Sequence, residues 1–157
     1  SQTITVNDDI APLIAQLPAP STISCPATPE FAQATATDNC TGVIVLTSAD
    51  ATTPGQCAGS YSVTRTWTAI DACGNTSTAS QTINVEDTTA PVIAELPATS
   101  TISCPATPEF AQATATDACN SAFELTFADV TTEGQCAGSS SVPRAWSAPD
   151  ACCNTST

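Results

Sequence analysis

Cysteine is the residue type whose number and spacing in this sequence most clearly indicate chemistry. The chain has nine cysteines in 157 residues, and the first four are spaced 15, 17 and 16 residues apart. Soft-metal sites are usually built from close Cys-x-x-Cys pairs, which this spacing lacks. Disulfides are the better interpretation, and because they persist in oxidising compartments we expect an extracellular or cell-surface protein. The cysteines predicted to form them are Cys25, Cys40, Cys57, Cys73, Cys104, Cys119, Cys136 and Cys152.

Carboxylates are the second group of residues with chemical potential. The chain has 15 acidic residues against two arginines, a formal net charge of −13. This charge disfavours nucleic acid and membrane surfaces as partners, and we expect no direct membrane insertion. Calcium is the cation that acidic turns and junctions suit, although the same acids could instead hydrogen-bond their own turns or be solvated. The candidate calcium ligands are Asp8, Asp9, Asp38, Asp71, Glu86 and Asp87.

Catalytic groups are scarce in the sequence. It contains no histidine and no lysine, so its serines and threonines lack the usual base that would activate them. Adjacent acids such as Asp8 and Asp9 could act as an acid–base pair, but a solvated acidic junction is the plainer interpretation. We therefore expect that the protein is not an enzyme.

The cysteine pattern belongs to an internal repeat with a period of 79 residues. The segment at 22–38 recurs letter for letter at 101–117, and the four cysteines of the first copy have equivalents at the same offset. The opening SQTITV at 1–6 also matches SQTINV at 80–85. The predicted domains are a closing strand of a preceding repeat at 1–6, a first repeat at 7–85 and a second repeat at 86–157, which lacks its last strand.

The repeats are predicted to be β-sandwiches. Short runs of Val, Ile and Thr are separated by Pro, Gly, Asp and Asn, and the clearest strand is Tyr61–Ile70, with a period of two. In the second repeat Pro143 and Pro149 replace Thr64 and Ile70, so we expect an irregular strand there. Further strands are predicted at 31–37, 43–47, 82–85 and 92–96. The small side chains give a marginal core, for which disulfides compensate by roughly 3 to 4 kcal/mol each.

The disulfide connectivity follows from one assumption about the strands. If the strands at 31–37 and 61–70 run in the same direction in opposite sheets, one pair of cysteines precedes them and another pair follows them. Four cysteines allow three connectivities. The predicted bonds are Cys25–Cys57, Cys40–Cys73, Cys104–Cys136 and Cys119–Cys152.

The two arginines occupy equivalent positions, Arg65 and Arg144. Each could belong to a ligand-binding site together with its neighbouring tryptophan. The plainer interpretation is that each guanidinium lies over an aromatic ring or pairs with a carboxylate.

Three short motifs could direct glycosylation. Asn75 and Asn154 begin N-x-Ser sequons, and Thr88 lies in a segment, Asp-Thr-Thr, that looks like a bacterial O-glycosylation motif. Such short motifs arise readily by chance in a chain rich in threonine. Thr88 is the residue expected to carry a sugar.

Taken in order along the chain, these motifs resemble a known family. The junction DTTAPVI, the segments TATDNC and VTRTWTAIDACGN and the closing TASQTINV are similar to hyalin-type, immunoglobulin-like repeats. The cysteine-rich form of these repeats occurs in very large surface proteins of gliding and biofilm-forming bacteria. The resemblance implies tandem immunoglobulin-like β-sandwiches, stapled by disulfides, that serve as spacer or adhesive modules.

Two functions remain open at this point. The first is a structural module of an extracellular stalk or fibre that joins neighbouring copies of the same repeat head to tail, with Gln2, Thr3, Ile4, Thr5 and Val6 completing a sandwich formed with another copy. The alternative is an adhesive module that grips a glycan or a surface through its variable loop. The repeats differ most between Thr41–Ala51 and Asn120–Val130, so that loop is the predicted binding site.

Overall fold

The fold is all-β, as the sequence predicts. The computed structural model describes residues 1–119 and 123–157, which form strands and turns. Among these residues there is no helix long and apolar enough to cross a membrane.

The described residues divide into two compact units. The first unit consists of Ser1–Gly55 with Ser60–Glu86, and the second consists of Gln56–Gly59 with Asp87–Thr157. The loop at 56–59 therefore belongs to the first repeat in sequence and to the second unit in structure.

The first unit is built around a four-stranded sheet. Strands β2, β6, β5 and β4 follow one another in that order, with β2 parallel to β6 and the other neighbours antiparallel, while β1 and β3 form a separate antiparallel pair. The bounds are β1 Leu13–Ile14, β2 Ser21–Ser24, β3 Ala36–Thr37, β4 Val45–Pro54, β5 Tyr61–Ile70 and β6 Thr76–Glu86.

The strand alternation in β5 and β6 explains the core of this unit. Side chains two residues apart share a face, and on the inner face Trp67 and Ala69 of β5 are buried, as are Ile83 and Val85 of β6. Ile83 and Val85 lie opposite Val63 and Tyr61 at the other end of β5. The strand predicted at Tyr61–Ile70 is confirmed residue for residue.

The strand predicted at 31–37 is mostly wrong. Only Ala36–Thr37 is a strand, and Ala32 is exposed although Ala34 is buried. Alanine is a poor strand residue because its side chain gives little area to pack against a neighbouring strand. The alternation of alanines therefore indicated one buried position and not a complete strand.

The second unit has shorter strands. Strands β13, β12 and β9 form one sheet, and β10 with β11 and β7 with β8 form two antiparallel pairs. Pro143 lies between β11 and β12, so the equivalent of the continuous β5 is split, as the sequence predicts. The bounds are β7 Val92–Ile93, β8 Ala115–Thr116, β9 Thr126–Asp129, β10 Thr132–Glu133, β11 Ser140–Ser141, β12 Arg144–Pro149 and β13 Thr155–Ser156.

The variable segment of the two repeats is only partly described. In the first unit it leads into β4, an edge strand of the four-stranded sheet whose residues are almost all exposed. In the second repeat, 120–122 lie outside the described residues. The prediction that this segment binds a ligand therefore stays a prediction.

Candidate functional site

Three aspartates come together in the second unit. Asp117 directly follows β8, Asp150 directly follows β12 and Asp87 precedes β7, and their carboxylates offer oxygen atoms that lie within 4.8 Å of one another. Asp87 and Asp150 are each only 7% exposed. We call Asp87, Asp117 and Asp150 the second acidic cluster.

In two of these aspartates, one carboxylate oxygen holds a turn. Asp87 Oδ1 accepts hydrogen bonds from the backbone N–H and the hydroxyl of Thr89, both at 3.1 Å, and Asp117 Oδ1 accepts one from the N–H of Cys119 at 2.8 Å. Asp87 Oδ2, by contrast, is buried and has no hydrogen-bond partner. Turn formation therefore accounts for only one of the two Asp87 oxygens.

Asp150 is held by the asparagine that follows it. Its Oδ1 accepts hydrogen bonds from the N–H groups of Cys152 and Asn154, both at 2.8 Å, and its Oδ2 accepts one from Asn154 Nδ2 at 2.9 Å. Burial on its own would raise the pKa of Asp150, but these hydrogen bonds outweigh it and lower the pKa. The carboxylate is therefore ionised at neutral pH.

Asn154 also ties the cluster together. Its Nδ2 donates a second hydrogen bond, at 3.1 Å, to the backbone carbonyl of Asp87. Asn75 does the same in the first unit, with bonds to Asp71 Oδ2 at 2.8 Å and to the carbonyl of Asp8 at 3.2 Å. The sequence predicts both asparagines only as sequons; the repeated Asp-x-x-x-Asn spacing is the signal that indicates this second role.

The first unit has an equivalent set of aspartates 79 residues earlier. Asp8, Asp38 and the Cys40 thiol offer ligand atoms within 4.8 Å of one another, and Asp71 lines the same cleft, whose volume is about 110 Å³. Asp38 Oδ1 accepts a hydrogen bond from the Cys40 N–H at 2.9 Å, whereas Asp38 Oδ2 is buried without a hydrogen-bond partner. We call Asp8, Asp38 and Asp71 the first acidic cluster.

The two clusters differ in the state of one cysteine. In the first, the Cys40 thiol is free and hydrogen-bonds to the Asp8 carboxylate, which is the largest cause of its raised pKa. In the second, the equivalent Cys119 is disulfide-bonded. The Asp8 carboxylate is therefore engaged by a thiol proton, while Asp87 Oδ2 is not engaged by any hydrogen bond.

The structure groups some of the predicted calcium ligands and separates others. Asp8, Asp38, Asp71 and Asp87 belong to the clusters, each of which lies within one unit. Asp9 and Glu86 are exposed and take part in neither. Two cluster members, Asp117 and Asp150, are not among the predicted ligands, although the 79-residue offset from Asp38 and Asp71 identifies them.

The disulfide connectivity corrects the prediction. Cys57 is bonded to Cys152, with 5.2 Å between their Cα atoms, so the predicted bonds Cys25–Cys57 and Cys119–Cys152 are wrong. The reason is that the loop carrying Cys57 belongs to the second unit, whereas the prediction assumed that all four cysteines of a repeat close the same sandwich. Cys25 and Cys119 are also disulfide-bonded.

The remaining cysteines of the described residues are exposed free thiols. The bonds predicted between Cys40 and Cys73 and between Cys104 and Cys136 are therefore not formed. Cys153 is free as well and occupies the position of Gly74, with a φ of 71° where the glycine has 90°. A side chain in this left-handed region carries a conformational cost that glycine does not.

The arginines have the structural role that the sequence predicts. Arg65 forms two hydrogen bonds with the Asp50 carboxylate, at 2.6 and 2.7 Å, and its guanidinium lies 4.6 Å from the ring centroid of Phe31. Arg144 pairs with Asp129 in the same way, with both bonds at 2.7 Å. Each pair joins neighbouring antiparallel strands of its sheet.

The predictions for the first six residues and for Thr88 are not settled by these contacts. Residues 1–6 are exposed and form no strand, with Ile4 79% and Val6 92% accessible. Thr88 is exposed beside the second acidic cluster. Strand completion and glycosylation therefore both stay predictions.

A comparison with protein families assigns the first repeat. Residues 13–85 match the model of the HYR-like domain with 4 cysteines. Residues 13–85 are therefore similar to HYR-like domains. The match confirms the resemblance noted in the sequence, and HYR-like domains with disulfides are typical of extracellular repeat modules. A search of curated proteins finds no significant match.

Proposed function

We propose that this chain is a non-catalytic structural module of an extracellular stalk or fibre, in which HYR-like repeats join head to tail. The observation that carries the proposal is the Cys57–Cys152 bond. It joins the third cysteine of one repeat to the fourth cysteine of the next, inside a unit that contains the loop 56–59 of the earlier repeat. One structural unit is thus assembled from two successive copies.

This arrangement has a direction. The joining surface of the earlier repeat, its loop at 56–59, differs from the surface that receives it. Contacts of this heterologous type do not close on themselves unless a rotation happens to complete a ring, so repetition produces a linear assembly. A chain of such modules suits a stalk that holds another domain away from a cell.

The first six residues support the same direction of growth. They repeat the sequence of 80–85, and the first unit already contains its own copy of that strand within β6. Ile4 and Val6 are exposed apolar side chains whose equivalent positions in the sheet are already filled, and an exposed segment of this kind can add as a strand to the sheet of another copy. We propose that Gln2 to Val6 complete the sandwich of a preceding repeat.

Electron microscopy and analytical ultracentrifugation of the chain, purified from an oxidising secretion host, test this function. We expect unbranched linear species whose mass grows with concentration and whose domains repeat every ~35 to 45 Å, the length of strands of about ten residues. A compact monomer of constant mass, or a closed dimer, would contradict the proposal.

A further inference from the structure

We propose that each acidic cluster binds one calcium ion. The Asp87 carboxylate carries the argument because it is 93% buried, its Oδ2 has no hydrogen-bond partner, and oxygens of Asp117 and Asp150 lie within 4.8 Å. A buried carboxylate oxygen without a partner, such as Asp87 Oδ2, is strongly unfavourable, and three neighbouring carboxylates repel one another. A cation at their centre would supply the missing interaction for Asp87 and would offset the repulsion among the three carboxylates.

The donor set favours calcium over other cations. All three side chains are carboxylates, and calcium prefers six to eight oxygen ligands at about 2.3–2.6 Å, including water. Magnesium needs a tighter octahedron, and zinc prefers nitrogen and sulfur ligands. In the first cluster, a cleft of about 110 Å³ gives room for an ion together with water ligands.

The surrounding backbone holds the second cluster in this arrangement. A Cβ atom added to Gly59 would lie 3.3 Å from Asp87 Oδ2 and 3.0 Å from the Cys119 carbonyl, so the loop at 56–59 lies close against the carboxylate. Asn154 fixes Asp150 to the backbone of Asp87. The geometry is thus set by groups other than the ion, as a preorganised site requires.

Calorimetric titration of calcium chloride into the chelator-treated full chain tests the proposal. We expect two ions per chain and a higher melting temperature with calcium than with an equal concentration of magnesium. Asp87→Asn should weaken one site by at least ~10-fold and Asp8→Asn the other. The matched controls Glu86→Gln and Asp9→Asn remove an equal charge from the adjacent residue and should retain both sites.

Two results would overturn the calcium proposal. One is the absence of saturable binding at millimolar calcium; the other is unchanged calcium affinity at both sites in both cluster variants. If circular dichroism shows that Asp87→Asn is unfolded, Asp117→Asn is used in its place. Calcium binding at the first cluster, which neither variant changes, then shows that the rest of the chain is folded.

A second inference concerns the free thiols, extends the proposed head-to-tail function and rests on it. We infer that Cys136 of one copy forms a disulfide with Cys73 of the following copy. Cys136 is the equivalent of Cys57, and Cys73 is the equivalent of Cys152. The Cys57–Cys152 bond therefore shows how the third cysteine of one repeat reaches the fourth cysteine of the next. Cys136 and Cys73 are the same two positions at the ends of this chain's repeats, and both are exposed free thiols.

The other two equivalent cysteines follow the same pattern. Cys25 and Cys119 are oxidised, whereas Cys104 and Cys40, their equivalents one repeat on and one repeat back, are free and exposed. We expect Cys104 of one copy to bond to Cys40 of the next. Each new bond joins two sulfur atoms and releases two protons and two electrons, which reduce a disulfide oxidant of the secretory compartment to its dithiol.

A mixing experiment tests the first of these bonds. In a Cys40→Ser, Cys104→Ser background, chains with Cys73→Ser keep Cys136 and Cys153 as free thiols, and chains with Cys136→Ser keep Cys73 and Cys153. Oxidised glutathione should give covalent dimers when the two are mixed and far fewer when either is alone. Peptide mapping should find Cys136 joined to Cys73.

The outcomes separate this inference from the proposed function. Linear species that come apart in detergent without reductant would overturn the disulfide and leave the head-to-tail function standing. Absence of linear species in every redox state would overturn both. Disulfides through Cys153, or between the same cysteine of two chains, would also contradict the inference. The Cys153→Ser variant is the control for bonds through Cys153.

Discussion

The two acidic clusters have equivalent aspartates but different surroundings. In the second, Asp87 is buried, Cys119 is oxidised and Gly59 lies against the carboxylate. In the first, Asp8 is only half-buried and accepts a hydrogen bond from the Cys40 thiol. The aspartates are thus encoded within each repeat, whereas the burial of the second cluster depends on a loop of the preceding repeat.

The largest expected effect comes from the disulfide that holds this loop. Cys57→Ser removes a bond that spans 95 residues, and a loop of this length stabilises the fold by about 4 to 5 kcal/mol in the chain-entropy model. We expect the second unit to lose about 4 kcal/mol of unfolding free energy, measured by denaturation with Trp146 as the reporter in a Trp67→Phe background.

The matched control for this change is Cys136→Ser. It makes the same substitution at the equivalent position, where the thiol is free, so stability should change by less than about 0.5 kcal/mol for a surface substitution. Equal losses of unfolding free energy in the two variants would show that the Cys57–Cys152 bond adds no stability to the second unit.

A smaller effect is expected from the asparagines. Asn154→Ala removes hydrogen bonds to the Asp150 carboxylate and to the Asp87 carbonyl, and leaving such groups unsatisfied costs about 1 to 3 kcal/mol. We expect a loss of about 2 kcal/mol, and a smaller loss for Asn75→Ala because the first cluster is more exposed. Denaturation with the tryptophan of each unit as reporter measures both.

The pH dependence of this difference has a defined sign. The folded pKa of Asp150 is lowered, so its contribution is present above the unfolded pKa of about 3.9 and is lost as the pH falls through the lower folded value. The stability gap between the wild type and Asn154→Ala should therefore be largest near neutral pH and shrink below about pH 4. A gap independent of pH would mean that the ionised carboxylate is not what Asn154 stabilises.

Local patterns in the sequence predicted much of this fold and less of its connectivity. The alternation in Tyr61–Ile70 predicts a strand that the structure contains with the same bounds, because side-chain periodicity is a local property of the sequence. Pro143 likewise predicted a broken strand. The partner of Cys57 depends instead on which unit its loop joins, and no local spacing encodes that contact.

The same distinction applies to the acidic sites. The sequence named four of the six clustered aspartates, since acidic turns are recognisable from composition. It also named Asp9 and Glu86, whose neighbours in the chain are in the clusters but whose own side chains are exposed. Which of two adjacent acids faces a cluster is decided by the path of the backbone at the junction.

A still smaller change tests the turn beside each cluster. Cys153 has a φ of 71° at the position where Gly74 has 90°, and a side chain in this region costs about 1 to 2 kcal/mol. Cys153→Gly should stabilise the second unit by about 1 kcal/mol in urea denaturation. Gly74→Ala is the reverse control in the first unit. An added Cβ meets no atom within 4 Å there, so the loss of unfolding free energy should reflect the backbone conformation alone. Unchanged stability in both variants would contradict backbone strain at this turn.

The smallest expected effect concerns the thiol that separates the two clusters. Cys40 donates a hydrogen bond to the Asp8 carboxylate, and a cation must displace that proton donor before Asp8 can bind it. Cys40→Ala should therefore strengthen calcium binding at the first cluster by about 3-fold, the equivalent of a net hydrogen bond of about 0.5 to 1 kcal/mol. Calorimetry in the Asp87→Asn background isolates this site, and Cys73→Ala is the control because its thiol lines the same cleft. A gain in both variants would indicate that the cleft is simply widened, whereas a gain in Cys40→Ala alone would show that the Cys40 thiol competes with the ion for the Asp8 carboxylate.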